Sequence, residues 1–302
     1  SCEVMDTKPC TFFDDEAVWG SAETTDAFIV NTYSQSVDLL APLGGACKWM
    51  VKTPDGVECD QVYSRADGVV SELGISKHSD YGFNRFSNLR ACNLIIEKVS
   101  ESTALTDSQK KQFIAEAKFL RGCIFFDQAR KIGRFVPITK ALTINDKEEF
   151  LTPITSSVAE SYKYVMDDFE AAIAGLPQTS TIERANVYTA HLLRTRAGLQ
   201  AYAYTKDQAY LDKVIESATA IINSGKYTLT EKYGDIFNQE SPRDPEIIMA
   251  KYMLSINTRI KDIPEICDVS PFAGNADVIA CTGAPLLDPE NYFRCWSYDW
   301  PT

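Results

Sequence analysis

The sequence predicts a mainly α-helical protein, with tetratricopeptide-like helical hairpins around one central buried helix, long irregular loops and little β structure. Three observations predict this fold. Residues 109–132 are apolar on more than one side of a helix. Residues 156–224 form successive helical patterns with small residues opposite bulky ones, as in helical repeats. Residues 41–81 lose all periodicity, as expected of a long loop insertion.

The stretch from Gln109 to Pro137 predicts the central helix. Its apolar residues fall on two helical stripes: Phe113, Ala117, Leu120 and Ile124 on one, and Phe119, Cys123 and Phe126 on the other. A helix that is apolar on two sides must pack on two sides, so we expect it to lie inside the domain. The candidate N-caps are Thr106, Asp107 and Ser108. Gly133 is expected to end the helix.

Two charged residues, Arg121 and Asp127, interrupt this apolar pattern. Their spacing of six residues does not place them together on one helical face, so they are not expected to pair directly. An unpaired buried charge is costly, and each is therefore expected to meet partners on neighbouring helices or loops. We favour a structural hydrogen-bond network over a catalytic carboxylate at this position.

The other helices are assigned from the same spacing. A first helix is predicted from Asp26 to Leu40, with Thr24 and Thr25 as candidate caps. The helix after the loop carries Asn93 in its apolar stripe, and we expect this amide to bind backbone groups rather than a ligand. Later helices are predicted at about 156–174, 186–205 and 207–224, and a short strand at Glu246–Met253.

Composition excludes several functional classes. The chain of 302 residues carries a net charge of −12, which argues against a nucleic-acid surface. Its two histidines, His78 and His191, lack metal-ligand spacing, and no phosphate loop or nucleophile elbow occurs, so neither metal nor cofactor is expected. Acid clusters at 14–16 and 167–170 are expected to be solvated faces rather than glycosidase pairs, and no enzyme is predicted.

The nine cysteines have different expected roles. Cys92 and Cys123 lie in helical apolar patterns and are expected to be small core residues. Disulfides are conceivable between Cys47 and Cys59, and among Cys267, Cys281 and Cys295. Ser1 and Cys2 look like the remainder of a lipoprotein cleavage site, followed by a short polar tether. No apolar run is long enough to span a membrane, so attachment is expected only through lipid on Cys2.

Residues 115–137, AEAKFLRGCIFFDQARKIGRFVP, resemble the most recognisable segment of the SusD/RagB family of outer-membrane nutrient-binding lipoproteins. That segment is an Ala-rich helix with Phe-Leu-Arg, then aromatics and Asp, then a basic residue and a Gly-Asp-Val-Pro turn. The matching residues are Ala115, Ala117, Phe119, Leu120, Arg121, Phe125, Phe126, Asp127, Arg130, Gly133 and Pro137. Lys118 replaces the usual Arg, Gly122 the usual Ala, and Arg134 a small or acidic residue.

The resemblance implies a function and an organisation. It implies non-enzymatic capture of oligosaccharide at the outer-membrane surface and delivery to a SusC-like, TonB-dependent transporter barrel. It also implies that the chain corresponds to the N-terminal part of such a protein. Residues 1–21 would be the tether, 22–232 the helical domain with its 41–81 insertion, and 233–302 the start of the irregular C-terminal region.

Sugar binding requires flat aromatic faces with polar neighbours. The 41–81 loop offers Trp49, Tyr63 and Tyr81, and the C-terminal region offers Trp296. In relatives, ligand-contacting aromatics lie partly in the corresponding loop and partly in the C-terminal half, but their positions are poorly preserved and are not transferred residue by residue. These four are the candidate glycan contacts by residue type and by their place in the sequence. The alternative is a tetratricopeptide-type scaffold that binds a protein or peptide and no sugar. An open apolar groove would favour that alternative.

Overall fold

The structure, a computed structural model, describes residues 15–36, 85–231 and 245–250, all of which belong to a compact unit formed by Ser1–Ala250. These residues form helices and no strand, as the fold prediction requires. The α-helices are α1 (Asp15–Trp19), α2 (Ala22–Ser36), α3 (Phe86–Glu101), α4 (Asp107–Ile132), α5 (Val158–Gly175), α6 (Val187–Thr205) and α7 (Gln208–Asn223), and a 3₁₀ turn covers Glu149–Leu151.

Helix α4 is the central element, as its double apolar pattern predicts. It packs against α2, α3 and α5, and every residue from Phe119 to Ala129 is buried. The Thr106 side chain caps its first turn and forms a reciprocal capping box with Gln109. It ends at Gly133, which has a φ of 74°. This backbone conformation costs an L side chain energy that glycine avoids.

Helix α2 begins earlier than predicted. Its first turn is capped by Ser21, whose Oγ accepts a hydrogen bond from the Thr24 N–H at 3.2 Å. The assignment of Thr24 and Thr25 as caps is therefore wrong. Thr25 is buried and its hydroxyl donates to the carbonyl of Val18 at 3.2 Å. Several hydroxyl residues in succession offer alternative caps, and the apolar contacts of Ile29 and Tyr33 fix which one the helix uses.

A buried polar cluster fastens α2 to α4. The Tyr33 hydroxyl donates to Glu116 Oε2 at 2.7 Å and accepts from the backbone N–H of Ala185 at 3.1 Å. Arg184 completes the cluster by an ion pair with Glu116 at 2.6 Å. Burial, reinforced by the Glu116 charge, raises the pKa of Tyr33 well above its usual value, so the phenol remains a hydrogen-bond donor.

Helices α5, α6 and α7 pack in succession, each against the next. The predicted start of α6 at Asn186 is that residue's capping position, where its Oδ1 accepts from the N–H groups of Tyr188 and Thr189. Gly198 in α6 allows a close approach to α7, since a Cβ there would lie 2.7 Å from Val214 Cγ2. The paired packing agrees with the predicted helical hairpins.

The predicted strand at 246–253 is wrong for its described part, residues 246–250, which have no regular secondary structure. The segment still makes isolated backbone hydrogen bonds. The Thr228 N–H donates to Pro245 at 3.2 Å, and the Ala250 N–H donates to Ile182 at 3.0 Å. Single bonds to two separate segments do not form a ladder, although the run of apolar residues is typical of a strand.

Gly122 stands where the family segment usually has Ala, and the packing around it explains this difference. The residue lies on α4 where a Cβ would be 2.9 Å from Cε1 and 3.0 Å from Cδ1 of the buried Phe169. Phe169 on α5 also contacts the Phe119 ring, with centroids 6.2 Å apart. The ring of Phe169 therefore occupies the space that an alanine methyl group would take in relatives with the usual sequence.

We predict that Gly122→Ala destabilises the chain by about 1–3 kcal/mol, because overpacking against Phe169 outweighs the better helix propensity of alanine. Urea denaturation would measure the change. Gly122→Ala combined with Phe169→Leu should be more stable than the sum of the two single changes predicts. An alanine variant as stable as the parent would contradict the close packing.

Candidate ligand-binding cleft

A surface cleft of about 490 Å³ lies between the N-terminal end of α3 and the segment from Val136 to Thr152. Small-molecule sites commonly have volumes of roughly 300–1,000 Å³, so the cleft has the size of a ligand site. Its lining residues are Phe86, Ser87, Arg90, Val136, Ile138, Lys140, Leu142, Glu149, Phe150 and Thr152. Apolar and polar side chains contribute equally to this set.

The cleft exposes aromatic surface. Phe86 is 48% exposed and Phe150 is 59% exposed, although both carry large apolar rings. Ser87 and Thr152 add hydroxyl groups to the same lining. Aromatic faces with nearby hydroxyl groups can contact the C–H face and the hydroxyls of a sugar.

Hydrogen bonds fix the segment that forms one wall of the cleft. The Asn93 amide donates to the carbonyls of Ile138 and Lys140, each at 3.1 Å, as expected for a buried backbone-binding residue. The Ala141 N–H donates to Glu97 Oε1 at 2.9 Å. These bonds tie the wall to α3, so the cleft is formed before any ligand arrives.

The two cations of the cleft differ in their environments. Lys140 Nζ lies between Asp146 at 2.6 Å and Glu149 at 3.0 Å. These hydrogen bonds raise the pKa of Lys140 and lower the pKa values of both carboxyls. Arg90 donates from Nη1 to the carbonyl of Leu142, and no carboxylate among the described residues pairs with it.

The predicted contacts do not include these cleft residues. Trp49, Tyr63, Tyr81 and Trp296, together with the lipidation candidate Cys2, lie outside the described residues and remain predictions. Neither Phe86 nor Phe150 was assigned to a ligand site from the sequence. The sequence does contain a signal for an exposed ring at Phe150, because this aromatic directly follows the polar run 145–149.

A buried ion pair lies behind the cleft. Arg121 on α4 donates from Nε and Nη2 to the two carboxylate oxygens of Asp168 on α5, both at 2.7 Å. Its Nη1 donates to Asn93 Oδ1 on α3 at 2.8 Å. The prediction that Arg121 meets partners on neighbouring helices is confirmed. Three helices are joined at this one guanidinium.

Asp127 has ion-pair partners both outside α4 and within it. Its fully buried carboxylate pairs with Arg85, which precedes α3, at 3.3 Å. Arg130 and Lys131, one turn further along α4, pair with it at 3.1 and 2.8 Å. The expected contact with a neighbouring segment is present, and two contacts within the helix accompany it.

The acid cluster at 167–170 does not form a paired acid site. Its three carboxylates bind different cations: Lys163 for Asp167, Arg121 for Asp168 and Lys213 for Glu170. In the described part of the chain, no group of three or more His, Cys, Asp and Glu residues could hold a metal ion. Cys92 and Cys123 are free and fully buried, and burial raises the pKa of the Cys92 thiol to about 12. They are core residues, as expected.

A smaller polar cluster joins α6 to α7. Arg194 donates from Nε to Ser217 Oγ at 2.6 Å and pairs with Glu216 at 2.7 Å. Ser217 Oγ also lies 3.2 Å from His191 Nδ1. Since Arg194 can only donate to the hydroxyl, the Ser217 proton is available for Nδ1 of a neutral His191. Burial, with the Arg194 charge, lowers the pKa of His191.

Comparison with known proteins identifies the architecture. No family model matches the chain. It is similar to a SusD-like protein of Bacteroides ovatus, with 20% identity over 190 residues, 59% of this chain and 34% of the relative. The crystal structure of a SusD-like protein from Bacteroides fragilis aligns with a TM-score of 0.64 and 23% identity over 80% of this chain and 47% of that one. The fold is SusD-like.

A second solved structure, a laminarin-binding SusD-like protein, has 17% identity and a TM-score of 0.57. The alignment covers 76% of this chain and 50% of the other protein. The resemblance predicted from residues 115–137 is therefore confirmed. The chain spans about a third of the length of the curated relative and about half the length of these solved structures. No helix among the residues that the structure describes combines the length and apolar character of a membrane crossing.

We predict that Asp168→Ala lowers the free energy of unfolding by about 3–5 kcal/mol, because it leaves Arg121 buried without its carboxylate. Asp167→Ala is the matched control. Asp167 is the preceding residue and is exposed, and its ion-pair partner among the described residues is the exposed Lys163, so its loss should cost less than about 1 kcal/mol. Urea denaturation of both variants would measure the contrast. Equal costs would show that the buried pair contributes no more than a surface pair.

We predict that His191 makes stability depend on pH. Its pKa is lowered in the folded chain, so the unfolded chain takes up the proton first as the pH falls below about 6.5. The contribution of His191 to stability is therefore full above this pH and is lost below it.

His191→Gln keeps a hydrogen-bond acceptor but does not titrate. As the pH falls from 7 to 5, the parent should lose unfolding free energy relative to this variant. All other titrating groups cancel in the comparison. A difference that is constant across this range would contradict the lowered pKa.

Proposed function

We propose that the chain captures an oligosaccharide at the cell surface, without cleaving it, and delivers it to a SusC-like, TonB-dependent transporter barrel. The observation that carries this proposal is the SusD-like fold, shared with a protein whose name states that it binds laminarin. A cleft with half-exposed rings on the same domain supports it. Delivery to a barrel follows from the family resemblance.

The chemistry of the cleft favours modest affinity. A sugar exchanges hydrogen bonds with water for hydrogen bonds with protein, a net gain of about 0.5–1.5 kcal/mol each. Ring contacts with Phe86 and Phe150 would add apolar burial. A ligand held in this way binds by several weak contacts, which suits a protein that must release its cargo to a transporter.

A non-enzymatic role agrees with the acids of the described helices. Asp167, Asp168 and Glu170 each pair with a different cation. Glycoside hydrolysis uses two carboxyl groups that flank one bond, at separations of roughly 5–10 Å and free to exchange protons. The pairing of Asp168 with Arg121 makes it a structural residue and removes it from such a role.

A tetratricopeptide-type protein scaffold is the second candidate. Exposed apolar side chains on α6 and α7 favour it, namely Leu199, Tyr204, Ile215 and Ile222. Apolar side chains that form a contiguous exposed patch are typical of a surface that another polypeptide covers. A glycan-array screen of the 302-residue chain separates the candidates, since the scaffold would retain no saccharide.

We predict that Trp49→Ala weakens binding to polysaccharides that the parent chain retains. Trp49 is the only tryptophan of the 41–81 loop and stands between Gly-rich and Pro-rich stretches that can present it. Affinity gels and calorimetry would compare the two chains. Equal retention would remove Trp49 from the site, and release of reducing ends by the parent would overturn the non-enzymatic assignment.

We predict that Cys2 carries the lipid that anchors the protein at the outer membrane. Cys2→Ala should move the protein from the membrane fraction to the soluble fraction when it is expressed with its native export signal. Fractionation and immunoblotting would measure this. Unchanged membrane association of the variant would show that the transporter or another anchor is sufficient for attachment.

A further inference from the structure

We propose that the cleft between α3 and residues 136–152 is a subsite for an acidic sugar, and that Arg90 binds its carboxylate. The proposal rests on the proposed saccharide function and adds a ligand class to it. Neither the comparisons nor the sequence pattern assigns Arg90 any role.

Arg90 is an exposed residue of α3 that lines a cleft with five apolar side chains. The other cation of the lining, Lys140, is already held between Asp146 and Glu149. Arg90 has a backbone carbonyl, that of Leu142, as its hydrogen-bond partner among the described residues. Among the described residues of this lining, Arg90 is therefore the cation that remains available for an incoming anion.

The hydrogen bond to Leu142 also orients the guanidinium. A guanidinium has five N–H donors in a planar fork, and one nitrogen is anchored to the cleft wall. The wall itself is held to α3 by Asn93 and Glu97. The remaining donors can meet both oxygens of one carboxylate, which is the geometry that arginine binds most strongly.

Desolvation explains why the ligand should be acidic. A saccharide that filled the cleft would displace water from Arg90. A neutral sugar would replace that water with hydroxyl contacts alone, whereas a carboxylate would supply a charge-assisted bidentate partner. The exposed rings of Phe86 and Phe150 can meanwhile contact the C–H face of the sugar. A sugar acid combines these two properties, one apolar face and one carboxylate.

The size of the cleft agrees with one or two sugar rings. Its volume of about 490 Å³ lies within the range of sites that hold small molecules. Ser87 and Thr152 lie in the lining and can meet ring hydroxyls. A uronic acid disaccharide therefore matches the cleft in size, charge and polarity.

Calorimetry with digalacturonate and its dimethyl ester tests the proposal, because the two ligands differ in charge and share a carbon skeleton. The parent chain should bind the acid at least about tenfold more tightly than the ester, as expected for a charge-assisted bidentate contact. Arg90→Gln should lose this preference and bind both ligands equally. Arg90→Lys, which keeps the charge without the fork, should retain part of the preference.

Two further variants control for charge and for the apolar wall. Lys163→Gln removes one positive charge from an exposed site on α5 and should keep the full preference for the acid. Phe150→Ala should weaken both ligands without changing their ratio, since it removes apolar contact only. Thermal melting would show that each variant folds, which is expected because Arg90 and Phe150 are exposed.

Equal binding of acid and ester by the parent chain would overturn the proposal, as would an Arg90→Gln variant that still prefers the acid. Laminarin, a neutral glycan, separates this failure from that of the proposed function. A chain that binds laminarin but not digalacturonate would refute the acidic subsite alone. A chain that binds no saccharide, acidic or neutral, in a glycan-array screen would refute both.

Discussion

The bidentate pair between Arg121 and Asp168 is the interaction on which the described fold depends. It joins α4 to α5, and the third nitrogen of the same guanidinium binds Asn93 on α3. Asn93 in turn binds the carbonyls of Ile138 and Lys140 in the wall of the cleft. One buried network therefore holds the helical core together and fixes the surface on which a ligand could bind.

A charged network at the centre of an apolar domain requires explanation, since desolvation offsets much of its Coulomb energy. We interpret the role of this network as fixing the position of α4 relative to its neighbouring helices. Helix α4 is apolar around most of its circumference, and an apolar helix can slide or rotate between neighbours with little change in buried area. A bidentate pair is satisfied in one register only. The contact between Gly122 and Phe169 supports the same register, because α5 approaches α4 closely beside Asp168.

The sequence predicts the fold well because its informative residues are buried or cap helices. The helical spacing of α4, the cap at Thr106 and the end at Gly133 are local signals, and each appears where expected. The prediction of where α2 starts was wrong because Ser21, Thr24 and Thr25 all offer capping hydroxyls. Tertiary packing selects among them. The cleft could not be predicted, since Phe86 and Phe150 come together only after 136–152 folds back onto α3.

The buried network and the charge of the cleft are set at neighbouring positions of one helix. Asn93 is fully buried and satisfies partners on two sides, so a change there would leave several polar groups unpaired. Arg90, less than one turn away, is exposed, and its hydrogen-bond partner in the described part of the chain is the carbonyl of Leu142. A substitution at Arg90 can change the charge of the cleft without disturbing the core.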